Sequence, residues 1–83
     1  MKILGKYVVF QSSFGIEYPV LFPNHFVEHC AVKSYQDKAV SAGFFSFDFE
    51  NVHPVSCYGH SQSLKLKSRK EDEKLILKQF TTN

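Results

Sequence analysis

The residues of this 83-residue chain best suited to metal chemistry are its four histidines and two cysteines. His25 and His29 stand four positions apart, so a helix over this stretch would place both on one face. Cys57 and His60 follow as a Cys-x-x-His pair. Imidazole nitrogens and a thiolate are ligands of tetrahedral zinc, so these four residues form the candidate metal site. The spacing between the two pairs fits no standard zinc finger, and we expect no metal or other cofactor.

Nucleophilic catalysis by a cysteine is a second alternative. A catalytic thiolate needs a neighbouring imidazole as its base. The candidate residues are the thiols of Cys30 and Cys57 and the imidazoles of His29, His53 and His60. The sequence around neither cysteine matches a known catalytic motif, and the four glycines form no phosphate-binding loop. We therefore predict that the protein is not an enzyme.

Basic residues are concentrated near the C-terminus. The formal net charge is only +2, but residues 64–83 contain six basic and three acidic groups. We predict that this basic segment contacts a partner, with an acidic protein surface as the first candidate and nucleic acid phosphates as the alternative. A third interpretation is that its first two lysines are the solvent face of a half-buried strand. The basic residues are Lys65, Lys67, Arg69, Lys70, Lys74 and Lys78.

Alternation of apolar and polar residues predicts the strands that position these groups. The strongest signal is Phe45, Phe47 and Phe49, which alternate with polar residues. Pro19 cannot donate a hydrogen bond to a neighbouring strand, so its strand is expected at a sheet edge. Gly15, in the preceding loop, is expected to adopt a positive φ. The predicted strands cover residues 6–11, 16–22, 39–50, 52–58 and 64–67.

Two helices are predicted. Asn24 can cap a short helix over residues 24–30. Ser68-Arg69-Lys70-Glu71 fits a capping box that opens a C-terminal helix running to about Phe80. Acidic residues 71–73 suit the first turn of that helix and are interpreted as stabilising its dipole, although Asp72 also falls on the apolar stripe. The predicted fold is α+β: an antiparallel sheet of four to five strands, a C-terminal helix on one face and a short helix after strand 2.

The strand over residues 39–50 carries apolar residues on both faces. The phenylalanine row is expected to lie under the C-terminal helix. The opposite face would carry Val40, Ala42 and Phe44. Since one helix cannot cover both faces, we expect a second helix, a second copy of the chain or a partner protein to cover the other.

Composition and length limit the class of protein. Hydrophobic residues make up 43% and aromatic residues 16% of the chain, which excludes a disordered, coiled-coil or collagen-like chain and indicates a single domain over residues 1–83. No apolar run approaches the ~20 residues of a membrane span. The start of the chain has no apolar signal-peptide core. Two cysteines are too few for a disulfide framework, so reduced thiols in the cytoplasm are predicted, with a Cys30–Cys57 bridge left as the alternative.

Three stretches carry a resemblance: Val40–Phe45, Cys57–Leu64 and Ser68–Asp72, together with Phe22-Pro23 and His29. They resemble small proteins of bacterial, prophage and mobile-element origin. Such phage proteins include anti-CRISPR and other host-defence inhibitors, which usually bind a protein surface without catalysis. The resemblance therefore implies a non-enzymatic protein-binding module, an inhibitor of a host defence complex, and it assigns no functional residue. The alternative is a small nucleic-acid-binding protein that uses residues 65–78.

Overall fold

A computed structural model describes residues 2–23 and 37–81. The elements are β1 (Lys2–Gln11), β2 (Glu17–Pro23), β3 (Lys38–Asp48), β4 (Val55–Tyr58), β5 (His60–Ser61), β6 (Leu66–Lys67) and α1 (Asp72–Thr81). The predicted α+β class and the C-terminal helix are confirmed. The predicted short helix over residues 24–30 lies outside the described residues.

Four antiparallel strands form the main sheet in the order β2-β1-β3-β4, and β5 pairs with β6 in a separate two-stranded hairpin. β1 lies between two neighbours, which explains why its residues 7–10 are all buried. β2 is an edge strand, as Pro19 predicts. The β1–β2 turn uses Gly15 at a φ of 82°, which confirms the expected positive φ.

One face of the sheet packs against α1. The buried residues of this core are Tyr7, Val9, Phe45, Phe47, Val55 and Ile76. Ile76 of the helix is fully buried, which contributes roughly 1.5–3 kcal/mol by the hydrophobic effect. The Phe80 ring stacks on that of Phe47 with centroids 4.2 Å apart. No helix within the described ranges is long and apolar enough to cross a membrane.

The opposite face is covered, at least in part, by the same chain. Val8, Phe10 and Ala42 are buried there, and Leu64 and Leu66 of the β5–β6 hairpin pack against them. The hairpin therefore covers part of the face that was expected to need a second helix, a second copy of the chain or a partner protein, and those further coverings stay predictions.

A β-bulge changes which residues of β3 face the helix. Val9 pairs with Ser41, but the next residue, Phe10, pairs with Ala39, so Val40 is the extra residue. Val40 consequently packs with the core under α1, while Ala39 packs on the hairpin side. The predicted placement of Val40 beside Ala42 and Phe44 is wrong, because strict alternation holds only on the C-terminal side of the bulge.

Candidate functional site

A buried polar cluster joins the start of α1 to the sheet. Asp72 is the first residue of the helix and is fully buried. Its Oδ2 accepts hydrogen bonds from the Tyr7 hydroxyl at 2.6 Å and from the Arg69 backbone amide at 2.9 Å. Its Oδ1 accepts one from Arg69 Nε at 2.9 Å. The carboxylate is thereby satisfied on both oxygens, as a buried charge requires. We call Tyr7, Glu17, Arg69 and Asp72 the Asp72 cluster.

Arg69 extends this cluster to the start of β2. Its Nη2 lies 2.8 Å from Glu17 Oε1 and 2.8 Å from Asp72 Oδ1. Hydrogen bonding to Glu17 is the largest cause of the raised pKa of this guanidinium. The side chain is 25% exposed. Arg69 is therefore held by contacts within the chain, which leaves its guanidinium less available to a partner than the exposed lysines Lys70 and Lys74.

The helix cap lies one residue later than predicted. The carboxylate that reaches back to a backbone amide is that of Asp72, and its target is Arg69, whereas the sequence pattern predicts Glu71 reaching back to Ser68. Glu71 is exposed, with Oε2 at 3.7 Å from Arg69 Nη1. Because the cap uses the buried Asp72, the first turn of α1 is fixed to the sheet rather than only to solvent.

Cys57 lies beside this cluster on β4. Burial raises the pKa of its thiol to about 12. Burial likewise raises the pKa of Tyr7, and the hydrogen bond to Asp72 adds to the effect. The Cys57 backbone amide donates to Glu73 Oε2 at 3.1 Å, which satisfies one outward-facing group of the sheet edge. Cys57 is a free thiol that stays protonated at neutral pH, so its environment does not favour a nucleophile.

Of the four candidate metal ligands, only Cys57 and His60 lie among the described residues. His25 and His29 lie outside these residues, as does Cys30. Within residues 2–23 and 37–81, no three potential ligands from His, Cys, Asp and Glu form a cluster. Of the two candidate ligands that the structure describes, Cys57 is half-buried on β4 and His60 is exposed on the β5–β6 hairpin.

The basic segment does not form one surface. Lys65 and Lys67 belong to the hairpin, whose leucines pack on one face of the sheet. Lys74 and Lys78 lie on α1, which packs on the other face. The basic residues are therefore close in sequence but divided between the two faces of the sheet, because residues 68–71 connect the hairpin on one face to the helix on the other.

An apolar groove lies between the β3–β4 loop and α1. We call it the loop–helix groove, and it encloses about 220 Å³. The loop is held by two side-chain contacts: the Glu50 amide donates to Asp48 Oδ1 at 3.1 Å, and the His53 amide donates to Asn51 Oδ1 at 2.9 Å. The groove is lined by Val52, His53, Pro54, Val55, Glu73, Lys74 and Leu77.

The sheet, the Asp72 cluster and the loop–helix groove are the main features of the described residues. No family model, curated protein or solved structure matches the chain.

The site residues predicted from the sequence did not include the Asp72 cluster as a unit or the loop–helix groove. The Asp72 cluster has a signal in the sequence, because an acidic residue on the apolar stripe of a helix must be paired if that stripe is buried. The loop–helix groove has none. It depends on how the loop before β4 lies against Leu77, and no local pattern encodes that contact.

Proposed function

We propose that the protein is a non-enzymatic module that binds another protein through the loop–helix groove. One observation carries this proposal: Val52 is 90% exposed at the rim of an apolar groove. Exposed aliphatic groups beside a concave apolar surface are typical of protein-binding sites. The Asx turns of the loop reduce the conformational entropy lost when a partner binds.

The lining of the groove favours a protein partner over nucleic acid. Val52, Val55 and Leu77 are aliphatic, so His53 is the one flat ring of this lining on which a base could stack. Glu73, in the same lining, would repel phosphate groups. Lys74 supplies a positive charge at the rim, and exposed Lys70 precedes it on the chain. We infer that the partner presents an apolar side chain next to an acidic group.

The narrower prediction, inhibition of a host defence complex, is supported by the resemblance alone. The same holds for the phage or prophage origin that goes with it. A cytoplasmic location and a homodimer likewise remain predictions, from composition and from the apolar content of the sheet.

The test is affinity purification of tagged protein from an extract of its native host, with retained proteins quantified by mass spectrometry. Val52→Glu places a charge in the groove, and the double reversal Lys70→Glu with Lys74→Glu removes the positive rim. The matched control is Phe14→Glu, because Phe14 is 89% exposed and lies at the opposite end of the sheet. Circular dichroism establishes that each variant is folded.

We expect a protein that is retained by the wild type and by Phe14→Glu but lost with Val52→Glu. Its binding to the lysine double variant should weaken most at low salt, where exposed charges are least screened. If every retained protein binds Val52→Glu as well as it binds the wild type, the groove is not the contact surface and the proposal fails.

A further inference from the structure

A second groove lies on the β5–β6 hairpin, across the sheet from α1. We call it the hairpin groove, and it encloses about 410 Å³. His60 of β5 is paired directly with Lys67 of β6, so both side chains emerge from the same part of the ribbon. The groove is lined by His60, Ser61, Gln62, Lys65, Leu66 and Lys67.

The lysines of this groove are not neutralised by the described part of the chain. Within residues 2–23 and 37–81, no carboxylate oxygen lies within ion-pair distance of Lys65 or Lys67. Arg69, two positions further along, is by contrast paired with three carboxylates. Two exposed ammonium groups without a partner give this groove a local positive potential that attracts anions.

Lys65 has a backbone conformation that disfavours a lysine. Its φ of 57° lies in the left-handed region, where a residue with a β-carbon is strained by about 1 kcal/mol or more. Asparagine or glycine adopts this conformation more easily. The turn is held by Ser61, whose buried hydroxyl accepts a hydrogen bond from the Leu64 amide at 3.2 Å. The turn thus fixes the backbone position from which the exposed Lys65 side chain extends.

An exposed aromatic ring lies on the same side of the sheet. The Tyr58 ring, 48% exposed, stacks on that of Phe44 with centroids 5.9 Å apart and an interplanar angle of 19°. Alternation along β3 places Phe44 on the face with Ala42, the face that the hairpin covers. Gly59, at a φ of 76°, then turns the chain into the hairpin. The Tyr58 ring is therefore packed against Phe44, is about half exposed, and belongs to the residue two positions before His60 of the groove lining.

We propose that the hairpin groove binds single-stranded nucleic acid, with phosphates at Lys65 and Lys67 and a base stacked on Tyr58. An aromatic ring beside unpaired cations is the combination such strands require. In a duplex the bases are already stacked within the helix and do not reach a tyrosine ring, so a single strand fits better. This site goes beyond the proposed protein-binding groove, because it lies on the other side of the sheet and uses none of the same residues.

The test is fluorescence anisotropy of a labelled short oligothymidylate at low salt. The competing probes are an abasic strand of equal length, a duplex and inorganic phosphate. The decisive variant is Lys65→Glu with Lys67→Glu. Its matched control is Lys70→Glu with Lys74→Glu, which changes the net charge by the same amount at two lysines outside the hairpin groove. Lys70 lies between the hairpin and the helix, and Lys74 lies on α1. Tyr58→Ala tests the stacking contact.

We expect the hairpin double variant to lose about tenfold or more in affinity and the control to lose less than about threefold, because phosphate contacts are local. Two phosphate contacts predict a slope of about −1.4 for log K against log salt with a single strand. Tyr58→Ala should weaken oligothymidylate binding by about tenfold, within the range for loss of one stacked base, and leave abasic binding unchanged.

Lys65→Asn separates binding from folding. Asparagine relieves the strain at φ 57°, so the melting temperature should equal or exceed that of the wild type while affinity for the strand falls. The proposal is overturned if the wild type does not bind the strand at low salt, if both double variants lose affinity equally, or if abasic and thymine strands bind with equal affinity. Complete competition by inorganic phosphate at the concentration of strand phosphate would also overturn it.

Discussion

Replacing Tyr7 by phenylalanine removes one hydroxyl from the Asp72 cluster and leaves the ring in place. That hydroxyl donates a 2.6 Å hydrogen bond to a fully buried carboxylate. A hydrogen bond to a charged group contributes about 1.5–3 kcal/mol. Asp72 Oδ2 keeps the bond from the Arg69 amide, so the oxygen is not left unpaired and the lower end of that range applies. We expect Tyr7→Phe to lower the free energy of unfolding by about 1.5–2 kcal/mol.

The effect is large relative to total stability. A domain of this size is stable by about 4–12 kcal/mol, at 0.05–0.15 kcal/mol per residue. Each kcal/mol shifts the melting temperature by about 4–8 °C, so Tyr7→Phe should lower it by about 6–16 °C. Asp72→Ala should cost more, about 3–5 kcal/mol, because Arg69 and Tyr7 then lose their buried partner together.

Urea denaturation followed by circular dichroism measures both values. The control is Tyr58→Phe, which removes the same atom from a half-exposed ring and should change stability by less than about 0.5 kcal/mol. The double variant Tyr7→Phe with Asp72→Ala should be less destabilised than the sum of the two single variants, since the shared bond can be lost only once. A Tyr7→Phe variant as stable as the Tyr58→Phe control would refute this account of the cluster.

Three further predictions concern other buried groups. Ser41→Ala should raise stability by about 1 kcal/mol, because the buried Ser41 hydroxyl has no hydrogen-bond partner among residues 2–23 and 37–81. Ser61→Ala should lower stability, because that hydroxyl holds the hairpin turn, and thermal melts of the two variants check both expectations. Gly43→Ala should destabilise the sheet, since the added β-carbon would lie 2.7 Å from a backbone carbonyl of β4, and an unchanged urea midpoint would contradict that contact. Folding favours the protonated thiol of Cys57, so stability should fall as pH rises from about 9 towards 12. A pH series of thermal melts should show a smaller decrease for Cys57→Ala. The raised pKa of Tyr7 adds a further loss of stability above pH 10.

The strands were predictable because alternation is local. Phe45 and Phe47 sit two positions apart and reach the same core, and Pro19 excluded its strand from the sheet interior. The bulge at Val40 was not predictable, because an extra residue in one strand is defined only by its partner across the ladder. The same limit explains why the opposite sheet face looked uncovered: nothing in residues 64–67 says that they fold back over β3.

The candidate site was less predictable than the fold. Six basic residues adjacent in sequence suggest one charged surface, yet a strand pair and a helix on opposite faces separate them. Arg69 was indistinguishable from its lysine neighbours until Glu17, 52 positions away, was known to contact it. Asp72 could have been recognised, because its place on an apolar helix stripe demands a buried partner.

The long sequence separations within the Asp72 cluster have a consequence for how the protein unfolds in time. Tyr7 and Asp72 are 65 positions apart, and Arg69 and Glu17 are 52 apart. We expect these contacts to form late in folding, because each of them requires the start of the helix to dock on the β1–β2 hairpin. Contacts absent from the transition state govern the unfolding rate and leave the folding rate nearly unchanged. On that expectation, the cluster sets the lifetime of the native state more than the speed at which it is reached.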